Sequence, residues 1–263
     1  MTGGNDMKTF HYFLVFCILL GCCIPVVSMS VYLSESTNAI NSVKEFIGNP
    51  SLEIEPYMNE KTPHAEYIVL FDKNTEYWVN SDTYKVERYS SYEELDNCKG
   101  VQISDERAMF NAELFIKKHD ERTNLEDFSL VMNEFVDGGD ITTYNYLWRK
   151  YLGIIESPSF IFVSVNPTTG AIIHYINIDR PVTMSLENQI TQQEAESISL
   201  KEFPGIEEAT VDSKLKVGYD EKGTQRLMWE CSVSGAPKDF ILQGGIVHID
   251  AQSGEIIRID IPM

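Results

Sequence analysis

Positive charge is scarce in this chain. Across 263 residues, 21 lysines and arginines stand against 40 aspartates and glutamates, a net charge of −19. Affinity for DNA or RNA comes largely from Lys and Arg set against phosphate, so the shortage argues strongly against a nucleic-acid partner. It argues equally against a basic patch for an anionic membrane surface. Cysteine is sparse too. Cys17, Cys22 and Cys23 fall in one apolar stretch, which leaves only Cys98 and Cys231 for the rest of the chain. There is no C-x-x-C, hence no redox or zinc motif of that kind. The two remaining cysteines pair or stay as buried thiols, and spacing alone does not choose between these.

Catalytic signatures are missing as well. The chain has no H-E-x-x-H, G-x-S-x-G, P-loop or G-x-G-x-x-G. His11, His64, His119, His174 and His248 stand apart in sequence and read as surface or strand-face residues, not as metal ligands. Adjacent acids occur at Glu93-Glu94, Asp137/Asp140 and Glu207-Glu208, as chance supplies among 40 carboxylates. A glycosidase needs two on facing elements at a set separation. Asp137-Gly138-Gly139-Asp140 is oxygen-rich but lacks the distal Glu of a calcium loop, and reads as a hairpin turn. The expectation is no catalysis, no cofactor and no metal.

What the chain does have begins at the N-terminus. From Tyr12 to Leu33 it is almost uncharged and mostly apolar, with Lys8 before and Glu35 after. Met7 is a plausible start. Twenty-two apolar residues suffice to cross a bilayer as a helix. The flanking charges place the N-terminus inside and the remainder outside. Residues 1–33 are therefore expected to be a single-pass membrane anchor. The alternatives are a cleaved signal segment and lipidation at Cys22, where Leu19-Leu20-Gly21-Cys22 resembles a lipobox. All three export the rest.

Beyond it, three stretches share one pattern: Trp78–Arg88, Ser164–His174 and His248–Arg258. Each has an apolar residue, then Asn or Asp, a short polar turn and a β-branched or apolar strand. A period of about 85 residues makes the chain three copies of one unit. In Asp250-Ala251-Gln252-Ser253-Gly254 the Asp side chain can accept backbone N–H groups, and the Gly can take positive φ. Asn166 to Gly170 repeats that logic. The first turn has Tyr84 where the others have Gly, so a different geometry is expected there.

The third copy reads as a helix with Thr191 as N-cap and Glu194 at capping-box spacing. Strands follow over 211–219, 226–233, 246–250 and 255–261. The second reads as a helix from Ser104 to His119, strands over 128–136 and 144–155, and a hairpin over 160–165 and 171–178. Trp148 in its long strand is matched to Trp229. The first has a helix over 37–47 and strands over 66–71, 75–80 and 85–89. It is shorter: 44 residues separate Ser36 from Asn80, against 62 from Ser104 to Asn166 and 59 from Thr191 to Asp250. One strand is expected to be missing or replaced by a loop around Pro50 and Pro56. Residues 90–100 and 179–189 read as linkers.

A helix opening I-T-x-x-E-A, a later L-x-W strand and a closing I-D-A-x-S-G-E-I-I hairpin resemble the PepSY domain. The match is good over 189–261, fair over 103–178 and suggestive before Ser90. The division that follows is a truncated PepSY-like repeat at 34–100, a second repeat at 101–180 and a PepSY domain at 187–263. The resemblance implies an α+β fold in which each unit packs a helix on an antiparallel sheet. It implies non-catalytic work: inhibiting, stabilising or chaperoning an exported partner such as a peptidase or cell-wall hydrolase. Some relatives with several copies behind a membrane segment stabilise a spore-cortex lytic enzyme. The runner-up is an envelope structural or sensor module for a small ligand or cation. Trp148 and Trp229 read first as core residues. They are also the candidate partner-binding aromatics, and an open sheet edge is a candidate for strand addition.

Overall fold

The computed structural model describes residues 26–120, 123–139, 141–238 and 241–261, with side chains from 35 to 236 and from 244 to 261 within that range. Three times the chain forms a helix and then four strands. The first unit has α1 (Val26–Ile47), β1 (Glu55–Thr62), β2 (Ala65–Asp72), β3 (Thr75–Asn80) and β4 (Val86–Ser91). The second opens with a short helix, α2 (Tyr92–Asp96), then α3 (Asp105–His119) and a 3-10 turn at Leu125–Asp127. Its strands are β5 (Phe128–Asp137), β6 (Thr142–Leu152), β7 (Ile155–Val165) and β8 (Ile172–Ile178). The third has α4 (Gln192–Lys201), β9 (Thr210–Tyr219), β10 (Gln225–Lys238), β11 (Ile241–Asp250) and β12 (Ile256–Asp260). The result is an α+β fold dominated by one large sheet.

Within each unit, successive strands pair antiparallel. The first two units join through their closing strands, β4 against β8, with Tyr89 opposite Tyr175. This gives one run, β1-β2-β3-β4-β8-β7-β6-β5. The third unit attaches where Glu156 of β7 faces Lys216 of β9 in parallel, on the flank that β8 leaves beyond Phe160.

The helices are placed by caps and small residues. Ser104 accepts the Arg107 N–H at the start of α3, and Thr191 and Glu194 form a reciprocal capping box at α4. Ala108, Ala112 and Ile116 of α3 are fully buried, as is Ala195 of α4, and the alanines let each helix lie close to its sheet. α1 and α3 meet above the β4–β8 junction: the Phe46 ring lies 5.9 Å from Phe115, 4.2 Å from His119 and 6.1 Å from both Tyr89 and Tyr175.

The three closing turns are alike. Asn80 Oδ1 accepts the N–H groups of Asp82 and Thr83, both at 3.0 Å. Asn166 Oδ1 accepts those of Thr168 and Thr169 at 2.8 and 3.2 Å. Asp250 Oδ1 accepts those of Gln252 and Ser253 at 2.9 and 3.0 Å. The positive-φ position is Tyr84 at 55°, Gly170 at 77° and Gly254 at 77°. Each donates its N–H back to the Asn or Asp carbonyl at 2.8 Å. The first turn therefore has the same geometry as the others, against expectation. Tyr84 is held in the left-handed region, which costs a non-glycine residue roughly 1–2 kcal/mol.

Beside each turn the pairing slips by one residue, between Trp78/Val79, Ser164/Val165 and His248/Ile249. The extra residues are Glu87, Ile173 and Ile257, each a β-bulge with two residues opposing one. Glu87 is buried and accepts from the Tyr67 hydroxyl at 2.8 Å and the Asn80 amide at 3.3 Å. Arg180, from the segment between the second and third units, donates to both its oxygens at 2.7 and 2.6 Å. The side chains are only 12% and 2% exposed. Burial alone would lower the arginine pKa, and the Glu87 carboxylate outweighs that and raises it.

Several expectations are corrected. The first unit is not truncated: β1 supplies the fourth strand, and the unit is shorter because its strands run six to eight residues. β1 escaped notice because E-P-Y-M-N-E-K-T is an exposed edge without a buried face. The first helix begins at Val26, not at 37. Residues 26–33 of the expected anchor are thus the start of α1, and the rest of that segment lies outside the described residues. Among the described residues no helix is long and apolar enough to cross a membrane. The strand read over 144–155 is two, turning at Gly153 with φ 65°. The linker read at 90–100 contains the end of β4 and α2, which Ser91 caps by accepting the Glu94 N–H.

Replacing Arg180 by Leu leaves Glu87 as a buried carboxylate without its cation. The expected cost is about 3–5 kcal/mol, to be read from guanidinium unfolding at pH 7. A loss below about 1 kcal/mol would show that Tyr67 and Asn80 suffice to hold the charge.

Candidate functional site

Strand edges differ in how they are guarded. β1 carries Pro56 and a register shift beside it, with Glu55, Glu60 and Lys61. β12 is five residues long and includes Arg258 and Asp260. Both carry the devices that keep an edge from pairing with another chain. β5 is ten residues long, F-S-L-V-M-N-E-F-V-D, with neither Pro nor Lys, and among the described residues it pairs only with β6. A register shift at Val131 is its sole irregularity. Leu130, Val131, Phe135 and Val136 are each between 42% and 47% exposed.

Apolar surface continues over the neighbouring helix. Phe110 and Leu114 of α3 are more than half exposed, and with Leu125 they line a groove of about 510 Å³ beside the start of β5. Asp105 fixes this arrangement. Its carboxylate accepts the Asn133 amide at 3.1 Å and the Tyr146 hydroxyl at 2.8 Å, which pins the first turn of α3 to β5 and β6. The open edge offers unpaired backbone N–H and C=O groups flanked by contiguous apolar side chains. Such a surface accepts an added strand. Sequence reading proposed strand addition without locating it. The signal available was β5's lack of Pro and Lys.

The two tryptophans lie elsewhere. Trp148 is 4% exposed in the core under α3, and Trp229 is 7% exposed in the core under α4. They are not brought together, and neither is presented on the surface. Nor do they match. Trp229 stands opposite Ile249, one residue before the third turn, and its indole N–H donates to the Ile190 carbonyl at 2.9 Å. The corresponding residue of the second unit is Tyr144, opposite Val165, whose hydroxyl donates to the Ile103 carbonyl at 3.2 Å. Trp148 faces Ile161, four residues further from the turn. The mismatch arose because the split at Gly153 was not seen.

A second feature is the seam between the first and third units. A cavity of about 210 Å³ is lined by Pro63, His64, Lys216, Met228, His248 and Arg258, among others. His64 Nε2 and His248 Nδ1 are buried without a hydrogen-bond partner. His248 is therefore not a surface residue. Its Nε2 lies 3.1 Å from Asp260, and Nδ1 is 3.8 Å from Glu230. Burial first, then Arg180 and Arg88, hold His64 down at about 4. His119, packed between Phe46 and Phe115, is likewise held at about 4, by burial and then by Lys118. Below the seam, Arg149 and Lys214 meet Glu156 at 2.5 and 3.5 Å, and Lys214 and Lys216 meet Glu230. Burial would raise Glu230, but hydrogen bonds and charge from Lys216 and Lys214 outweigh it and bring the carboxyl down to about 2.

The other sequence candidates serve structure. Cys98 and Cys231 are free and buried, and burial pushes both thiols up to about 11. Glu94 accepts from Asn166 and Thr169. Asp137 caps its own turn through the Gly139 N–H, and Asp140 lies outside the described residues. Among the described residues no three His, Cys, Asp or Glu side chains converge in a way that would hold a metal ion.

No family model matches the chain, and no curated protein matches it. Among solved structures, the chain is similar to the Bacillus megaterium YpeB C-terminal domain. The identity is 12% and the TM-score 0.43, over 84% of this chain and 95% of that one.

Two outcomes are expected here. His64 and His119 ionise near 6.5 when unfolded and near 4 when folded. A depressed histidine favours the folded state fully above 6.5, and that contribution is lost as pH falls from 6.5 towards 4. Glu230 acts only below its ordinary 4.5. Unfolding free energy should therefore decline between pH 6.5 and 5, and less so in a His64→Gln, His119→Gln double variant. An unchanged decline in that variant would assign it to other groups. Separately, Trp229→Ala should cost about 3–5 kcal/mol in the same assay, as a core truncation does.

Proposed function

We propose that this chain is a non-catalytic binding protein of the PepSY type. It holds an extended segment of an exported partner, a peptidase or cell-wall hydrolase, and inhibits, stabilises or chaperones it. The observation that carries this reading is the long β5 edge, without Pro or Lys and with exposed apolar side chains, beside the exposed face of α3. Residues 1–33 supply the membrane anchor, or the export signal or lipid attachment at Cys22. The chain then works outside the cytoplasm. One observation favours the second reading, a sensor for a small ligand: the cavity lined by His64 and His248, each with a buried ring nitrogen that makes no hydrogen bond.

The test uses the full chain in membranes of its own host. Cross-linking and affinity capture should retain one exported hydrolase whose activity or half-life changes with the chain present. Phe135→Glu and Val136→Glu, both at exposed positions, should reduce that retention about tenfold or more while leaving the melting temperature within a few degrees. Retention unaltered by either substitution would move the interface away from β5. No retained hydrolase, together with stabilisation by a small solute that His248→Ala abolishes, would favour the sensor.

A further inference from the structure

The charge on the β5 edge narrows what it accepts. This step rests on the strand-addition reading and concerns which strand is added. From Thr123 to Asp137 the sequence holds Glu126, Asp127, Glu134 and Asp137 and no Lys, Arg or His. All four acids are exposed. Of the nearby cations, Lys150 is engaged over the Phe128 ring at 5.6 Å, Arg149, opposite Ser129, is paired with Glu156 at 2.5 Å, and Lys117 lines the groove together with Glu113. A second copy of this chain is a poor occupant. Pairing β5 with another β5 would set two such acidic strands along one seam, between bodies of charge −19 each. Like charges opposite one another destabilise a sheet, and the net field opposes approach.

The strand has two faces. Leu130, Asn133 and Phe135 pair with Trp148, Tyr146 and Tyr144, whose rings belong to the core under α3. Glu134 pairs with Asn145 and so points to the opposite face. An incoming strand therefore meets Leu130 and Phe135 together with Asp137 on the helix side, and Glu134 between Met132 and Val136 on the other, so each face offers apolar side chains and one carboxylate.

We propose that β5 recognises a cationic extended segment. Its apolar residues face α3, its Lys or Arg residues alternate with them opposite Glu134, and one large apolar side chain enters the groove of Phe110, Leu114 and Leu125.

The experiment titrates the full chain with three synthetic peptides of strand length: alternating Val/Lys, Val/Gln and Val/Glu. Binding is read by calorimetry, and its place by amide hydrogen exchange. The Val/Lys peptide should protect amides of β5 and bind roughly tenfold more tightly than Val/Gln, as a few exposed ion pairs provide. The margin should shrink in molar salt. Glu134→Lys should reduce or reverse the preference, and Val/Glu should bind most weakly. Equal binding of Val/Lys and Val/Gln at β5 would overturn the charge rule and leave strand addition standing. No peptide protecting β5 would remove strand addition itself. Protection of β5 that grows with protein concentration, without peptide, would make the edge a self-association surface and overturn the proposal.

Discussion

One side-chain oxygen organises each unit of this protein. Asn80, Asn166 and Asp250 each accept two backbone N–H groups and so fix a turn that closes the last hairpin. The turn sets the register of that hairpin, and the register forces an extra residue into the strand that follows. In two units the bulged residue is isoleucine, while in the first it is Glu87. The same local geometry that elsewhere places an apolar side chain there places a carboxylate among Tyr67, Asn80 and Arg180. Turn chemistry thus reaches the assembly of the whole chain, because Arg180 belongs to the segment that delivers the third unit.

That unit is otherwise held loosely by backbone. Among the described residues a single parallel pairing, Glu156 with Lys216, joins its sheet to the rest. Ionic ties add to it: Glu87 with Arg180, and the chain of Arg149, Glu156, Lys214, Glu230 and Lys216. Apolar contact adds to these, with Ile155 of β7 in the third unit's core and the His64 ring 6.0 Å from Tyr219. A buried, bidentate pair resists breaking far more than an exposed one, since the survivor is left as an uncompensated charge. The first and second units differ in this respect, since they share a strand pair and an aromatic cluster around Phe46.

Much of this was legible in the sequence because it depends on local chemistry. The capping box at Thr191 and Glu194, the helix opening at Ser104 and the three Asn/Asp turns were read from residues a few positions apart. The failures were of two kinds. β1 and the break at Gly153 were missed because an exposed edge strand has no periodic buried face and a two-residue hairpin leaves only one glycine as a mark. Tyr84 misled in the opposite direction: packing held a tyrosine at a positive φ that propensity assigns to glycine. The open edge at β5 was beyond reach for a different reason. Whether a strand is central or terminal depends on pairings between segments far apart in sequence, and no local pattern records them.

The junction of β4 with β8 relates the first two units by an approximate twofold axis, so that β1 and β5 occupy equivalent ends of one sheet. Duplication by itself would offer a partner two docking places. Proline and charge on β1 blunt one of them, and the other stays open. A body built by repetition thereby presents two equivalent sheet ends of unequal character, one carrying proline and lysine and one carrying neither.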